Sequence, residues 1–177
     1  LIFTNNDSAY ETAIEFKKNG ILPIIIDTRS NPDSEIVSEA KKMGIEIKFS
    51  YVVVAARGYK KVKVAEVSKI SDDKKDLSNI ENITCDCICV SGFWTPTIHL
   101  ASQSGNKTKF NEDIDAFVPG ISKQEETTLG SANGVFTLKE TLKTSFEAGN
   151  EISKKITNNE NKISAPQVTE KKYANHD

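Results

Sequence analysis

Between two candidate helices the chain carries Ile21-Leu22-Pro23-Ile24-Ile25-Ile26, a run without a charged or hydrogen-bonding side chain that ends on Asp27. A strand with one wet face alternates apolar and polar residues. A strand that is apolar throughout has to be covered on both faces, the usual condition of a parallel strand in an α/β protein. The flanking segments agree with that demand. Leu1–Phe3 is an apolar strand, and Ala9, Ala13, Ile14 and Phe16 recur at helical spacing over Ala9–Lys18. Asn6, Asp7 or Ser8 caps that helix at its start, and Asn19-Gly20 stops it. Beyond the apolar run, Ser34–Met43 predicts a second helix stopped by Gly44, and Ile45–Ile47 a third strand. The order β-α-β-α-β is the first half of a doubly wound unit.

The period then changes. Tyr51–Ala55, Lys61–Val67 and Ile83–Val90 are expected as strands of an antiparallel extension, with a turn at Gly58 and a charged loop over Ser71–Asn82. A short helix is expected from Thr97 to about Gly105, and one extended piece within Lys109–Val118, closed by Pro119-Gly120. The small-residue loop Leu129-Gly130-Ser131-Ala132-Asn133-Gly134 precedes a helix over about Phe136–Lys155. Thr157–Asp177 is Asn-, Lys- and Glu-rich and lacks periodicity, as a linker or disordered tail does. The chain opens inside a strand without Met, and it is read as an internal piece of a longer protein.

Three features carry chemistry. The first is the turn Thr4-Asn5-Asn6-Asp7-Ser8-Ala9, placed where a dinucleotide loop has its glycines. Without them Asn6 sets a side chain where phosphate would lie, so the turn is either kept for structure or adapted to some other ligand. Asp27, about 20 residues on, stands where an acid would hold a ribose hydroxyl, and is equally a good loop residue at a strand end. The second is the Gly130–Gly134 loop. Its small residues allow close backbone approach, and a helix N-terminus offers N–H groups to an anion; it is equally an ordinary capping loop. The third is the alternating set Cys85, Cys87 and Cys89. On a single strand these would share a face, with poor disulfide geometry and no metal-ligand spacing, so reduced and packed thiols are expected. Trp94 is expected in a core, and His99 on the surface or as a cap. A length of 177 residues suffices for one domain with a core, and a net charge of −2 gives no general attraction for nucleic acid or anionic membrane. No signal peptide, membrane span, P-loop, or hydrolase or metalloprotease signature is visible.

These residues resemble a known family. Thr4-Asn5-Asn6-Asp7-Ser8-Ala9 is similar to the GGGDSA-type turn in the pyridine-nucleotide domain of thioredoxin-reductase-like flavoproteins. That turn, with Cys85-Asp86, Val90–Leu100, Ser102–Gly105 and Phe117-Val118-Pro119-Gly120 in the same order, resembles the alpha subunits of heterotetrameric, tetrahydrofolate-linked sarcosine oxidases. The resemblance implies an α/β fold: a Rossmann-like three-layer unit with an antiparallel β extension, of the FAD/NAD(P)-binding disulfide-reductase type, and incomplete. It implies residues 1–115 as an inserted NAD(P)-binding-like unit and 116–156 as the return into a first nucleotide-binding unit. Residues 157–177 become a linker toward a folate-binding domain.

The implied activity is oxidative demethylation of sarcosine to glycine, with hydrogen peroxide and 5,10-methylenetetrahydrofolate formed, in the cytoplasm. The implied cofactors are NAD in this subunit and FAD and FMN in the whole complex, with tetrahydrofolate as cosubstrate. The implied partners are beta, gamma and delta subunits and a small amine substrate. Gly130, Ser131, Gly134, Thr137 and Leu138 become one wall of the NAD site. Ser131 departs from the Asp that reductases carry there, and the reductase CxxC is absent, so dithiol chemistry is not expected. No catalytic residue is implied. Two other readings stand beside this one: a subunit of a related FAD- or NAD-dependent amine, proline or opine dehydrogenase, and a non-catalytic scaffold subunit.

Overall fold

The computed structural model describes residues 1–71, 77, 79–92, 94–158 and 163–169. The chain divides into two compact units, Leu1–Phe93 and Trp94–Lys171.

In the first unit, β1 (Ile2–Thr4), β2 (Ile24–Asp27), β3 (Glu46–Phe49) and β7 (Cys89–Ser91) form a wholly parallel sheet in the order β3-β2-β1-β7. Helices α1 (Ser8–Lys18) and α2 (Glu35–Lys42) connect its first three strands. Strands β4 (Tyr51–Gly58), β5 (Val62–Lys69) and β6 (Ile80–Thr84) form an antiparallel sheet in that order. The parallel sheet lies between these two layers. On one face Ile2 and Ile25 join Ala9, Tyr10, Ala13, Ile36, Val37 and Ala40 from the helices. On the other, Ile26 joins Ala65 and Val67, with Phe3, Ile24 and Tyr51 around them. Adjacent side chains on β2 therefore enter opposite cores, which is the physical reason for its unbroken apolar run.

The run is shorter as a strand than the sequence suggests. Ile21 and Leu22 are exposed, and β2 begins after Pro23. Proline has no N–H to give to a central strand, so it falls at the strand's edge. The expected strand Ile83–Val90 is also not one strand. Its first residues end β6 in the antiparallel sheet, and its last begin β7 beside β1. The turn between them places Cys85 against the core around Ile26 and Cys89 against the core around Ile2. The cysteines therefore do not share one face. The charged loop expected over Ser71–Asn82 lies partly outside the described residues, and β6 already starts at Ile80. At the β4–β5 turn a Cβ on Gly58 would lie 1.9 Å from the Lys61 carbonyl oxygen, so only glycine fits.

In the second unit, α3 (His99–Gln103) ends at Ser104-Gly105, with Gly105 in the left-handed region. The single extended piece expected within Lys109–Val118 is a hairpin: β8 (Thr108–Asn111) pairs antiparallel with β9 (Ala116–Pro119). Asn111 Oδ1 accepts from the Asp113 N–H at 2.9 Å, an Asx-type turn that Asn111-Glu112-Asp113 signals in sequence. Trp94 is exposed rather than in a core. A 3-10 turn, Gly130–Asn133, precedes helix α4 (Leu138–Thr157). The expected tail lies largely outside the described residues; Thr157 closes α4, and Ile163 exchanges two hydrogen bonds with the Asn150 side chain.

Candidate functional site

The turn between β1 and α1 keeps the path of a dinucleotide loop and fills it with its own side chains. Asn6 is buried. Its Nδ2 donates to the Gly92 carbonyl at 2.6 Å and to the Ser91 carbonyl at 3.3 Å, joining the ends of β1 and β7. Its Oδ1 accepts from the Ser8 N–H at 3.1 Å and from Ser8 Oγ at 2.6 Å. An amide N–H at the start of α1 is thus taken by this side chain, in the place where a dinucleotide loop offers N–H groups to phosphate. Asp7 occupies the N-cap position but makes no side-chain cap hydrogen bond. Capping falls to Asn6.

Asp27 lies at the C-terminal end of β2, fully buried. Its Oδ1 accepts from the Arg29 N–H at 2.9 Å and from Arg29 Nε at 3.1 Å. Its Oδ2 accepts from Arg29 Nη2 at 2.8 Å and from the Tyr10 hydroxyl at 2.6 Å. A carboxylate has about four lone-pair sites, and all are used. Arg29 Nη1 also pairs with Asp7 Oδ1 at 2.9 Å, and the Arg29 side chain is 8% exposed. One guanidinium thus bridges two buried carboxylates. Burial opposes the Arg29 charge, but the hydrogen bonds and charges of Asp27 and Asp7 outweigh it and hold the group above its ordinary value. Burial, then the hydrogen bond to Asp27, pushes the Tyr10 phenol far up.

A ribose diol would find no free acceptor at Asp27, and a pyrophosphate would meet the Asn6 side chain. The turn therefore does not fit a dinucleotide. Arg29 and Tyr10 were not singled out from sequence. The only local signal is the Asp27-x-Arg29 spacing, which allows a side chain to fold back on its neighbour.

The Gly130–Leu138 segment has a different character. Gly130 is buried at φ 63°, and a Cβ there would meet Thr141 Cγ2 at 3.0 Å. Gly134 ends the 3-10 turn at φ 79°, and a Cβ there would lie 2.6 Å from Ile114 Cδ1 and 3.1 Å from Val118 Cγ1. The surroundings of both glycines are filled by this chain itself. Thr137 is the N-cap of α4, its Oγ1 accepting from the Glu140 N–H at 3.3 Å, with the Glu140 side chain in the first turn. Thr-x-x-Glu is a capping-box pattern, and an acid there already complements the helix dipole. Ser131, Thr137 and Leu138 are exposed. The segment thus presents one polar and partly apolar edge, with its glycines accounted for by packing and backbone conformation. Among the described residues no group of three His, Cys, Asp or Glu is placed to hold a metal ion, and no helix is long and apolar enough to cross a membrane.

Comparison with known proteins agrees with the architecture. The chain is 26% identical to the alpha subunit of sarcosine oxidase from Corynebacterium sp. (strain P-1) over 151 residues, 84% of this chain and 15% of that protein. Against the Rhizobium meliloti (strain 1021) alpha subunit it is 29% identical over 133 residues, 74% of this chain and 12% of that protein. The chain is similar to sarcosine oxidase alpha subunits. It spans about 15% of the length of the relatives it matches. No family model matches. Among solved structures, the bacillithiol disulfide reductase of Staphylococcus aureus superposes with a TM-score of 0.53 and 14% identity, over 69% of this chain and 36% of that one. The thioredoxin reductase of Lactococcus lactis gives 0.51 and 14%, over 75% and 47%. The fold is that of FAD/NAD(P)-binding disulfide reductases: a Rossmann-like three-layer unit with an antiparallel extension, as expected from the sequence.

Proposed function

We propose that this chain is part of the alpha subunit of a tetrahydrofolate-linked sarcosine oxidase, and that its Rossmann-like unit serves as architecture rather than as a nucleotide site. The complete enzyme would oxidatively demethylate sarcosine to glycine, forming hydrogen peroxide and 5,10-methylenetetrahydrofolate. Its cofactors would be NAD, FAD and FMN, its partners the beta, gamma and delta subunits, and its compartment the cytoplasm. The observation that carries the reading is the similarity to sarcosine oxidase alpha subunits over 84% of the chain. The saturated Asp27 and the Asn6-filled turn support the architectural role.

In this reading residues 1–115 are the inserted unit, 116–156 the return segment and 157–177 a linker. That division follows the order of the family's blocks and not the compact units. Gly130, Ser131, Gly134, Thr137 and Leu138 would form one wall of an NAD site whose other walls come from residues outside this chain. Glycines and a capped helix start hold that wall in shape, and the exposed Ser131, Thr137 and Leu138 would face the nucleotide. NAD would supply redox-capable nicotinamide there; the residues named only position it.

The test uses the full-length subunit assembled with its partners. Sarcosine-dependent hydrogen peroxide formation, together with NAD released on denaturation, is the expected result. Absence of both rejects the enzyme reading. Ser131→Trp, at an exposed position, should lower the NAD retained per subunit, and an unchanged NAD content would remove the segment from the site.

A further inference from the structure

Three cysteines fall within five residues, and the structure sorts them. Cys85 packs against the core around Ile26, on one face of the parallel sheet, and Cys89 against the core around Ile2, on the other. Cys87 lies between them and is exposed. The Sγ atoms of Cys87 and Cys89 are 3.9 Å apart. The backbone on either side is paired: the Leu1 nitrogen donates to the Cys87 carbonyl at 2.9 Å, and the Cys89 N–H donates to the Leu1 carbonyl at 2.9 Å. The backbone of both residues is thus tied to Leu1, just ahead of β1.

We propose that Cys87 and Cys89 form a redox-active dithiol, convertible to an intrachain disulfide by exchange with a low-molecular-weight disulfide. The exposed Cys87 is the attacking sulfur. Its thiolate attacks one sulfur of the small disulfide, whose S–S bond breaks, and one thiolate leaves. The Cys89 thiolate then attacks the Cys87 sulfur of the mixed disulfide and expels the second thiolate. The two protein thiol protons pass to the two departing thiolates. The protein dithiol loses two electrons and the small disulfide gains them. Burial, then the neighbouring Cys87, pushes the Cys89 thiol up and keeps it protonated, so the first attack falls to the exposed Cys87 and the second step is the slower one.

Bond formation needs the sulfurs to close to about 2 Å, and residues i and i+2 of an extended chain lie near the upper limit of about 6.8 Å for disulfide Cα separation. The product is therefore strained and easily reduced, which makes the site reversible rather than structural. This chemistry differs from that of a reductase CxxC, which the sequence lacks. It stands independently of the proposed sarcosine oxidation.

The experiment equilibrates the full-length protein with mixtures of reduced and oxidised glutathione, alkylates the remaining thiols and maps the peptide carrying residues 85–89 by mass. Alkylatable thiols in that peptide are expected to fall from three to one, with Cys85 still labelled and the mass two hydrogens below that of the same singly labelled peptide with two free thiols. Dithiothreitol should restore all three. Cys87→Ser should abolish the change and Cys85→Ser should leave it. A glutathione adduct that persists on Cys87 with Cys89 still labelled overturns the proposal. So does pairing through Cys85, or full labelling under excess oxidised glutathione.

Discussion

At the scale of single residues, Arg29 decides most. It neutralises two carboxylates that are both fully buried, and its removal strands them in a low-dielectric interior. Arg29→Ala is expected to cost about 3–5 kcal/mol, read as a lower urea midpoint. A loss below about 1 kcal/mol would mean that the pairs behave as exposed ones. Tyr10 gives a pH signature. Its folded value is raised above the unfolded value of about 10, so its contribution is fully present below about pH 10 and is lost as pH rises through the folded value. Alkaline titration should show one of the four tyrosines ionising only as circular dichroism is lost. Four tyrosines titrating with the helix signal intact would contradict the buried hydrogen bond to Asp27. Neither residue was legible as functional beforehand. A Tyr on a helix and an Arg past a strand end carry no mark of the carboxylate they converge on.

At the scale of elements, the β1–α1 turn and the start of α4 make opposite predictions. Asn6→Gly restores a glycine to the turn, yet it removes the Asn6 bonds to Gly92 and Ser8. It should cost about 1–3 kcal/mol, the price of lost buried hydrogen bonds, and should still give no nicotinamide-nucleotide binding by fluorescence, because Asp27 stays saturated. Binding gained by this single change would show that Asn6 alone closes the loop. At α4, Thr137→Ala should lower helix stability by about 1 kcal/mol through loss of the cap, measured by thermal melting. Helices α1 and α2 were readable from spacing almost to the residue, since a 3.6-residue period and its stop signals are local. The β8–β9 hairpin was half-read, because one short exposed strand looks the same whether or not a second pairs with it.

At the scale of the molecule, periodicity and the unbroken run at Ile24–Ile26 were enough to specify a parallel sheet with both faces covered. The residue blocks in order were enough to identify the relatives, because shared order survives where single motifs have decayed. Those properties are written locally, residue after residue. What covers each face was not: the sequence does not say that helices take the side of Ile25 and an antiparallel sheet the side of Ile26. Nor does it say that Ile83–Val90 divides between two sheets, or that the acceptors of Asp27 are all taken. Each of these depends on groups far apart in the chain meeting in space. Whether a carboxylate is free for a ligand is a matter of hydrogen-bond saturation, and only the tertiary structure brings together the donors that saturate it.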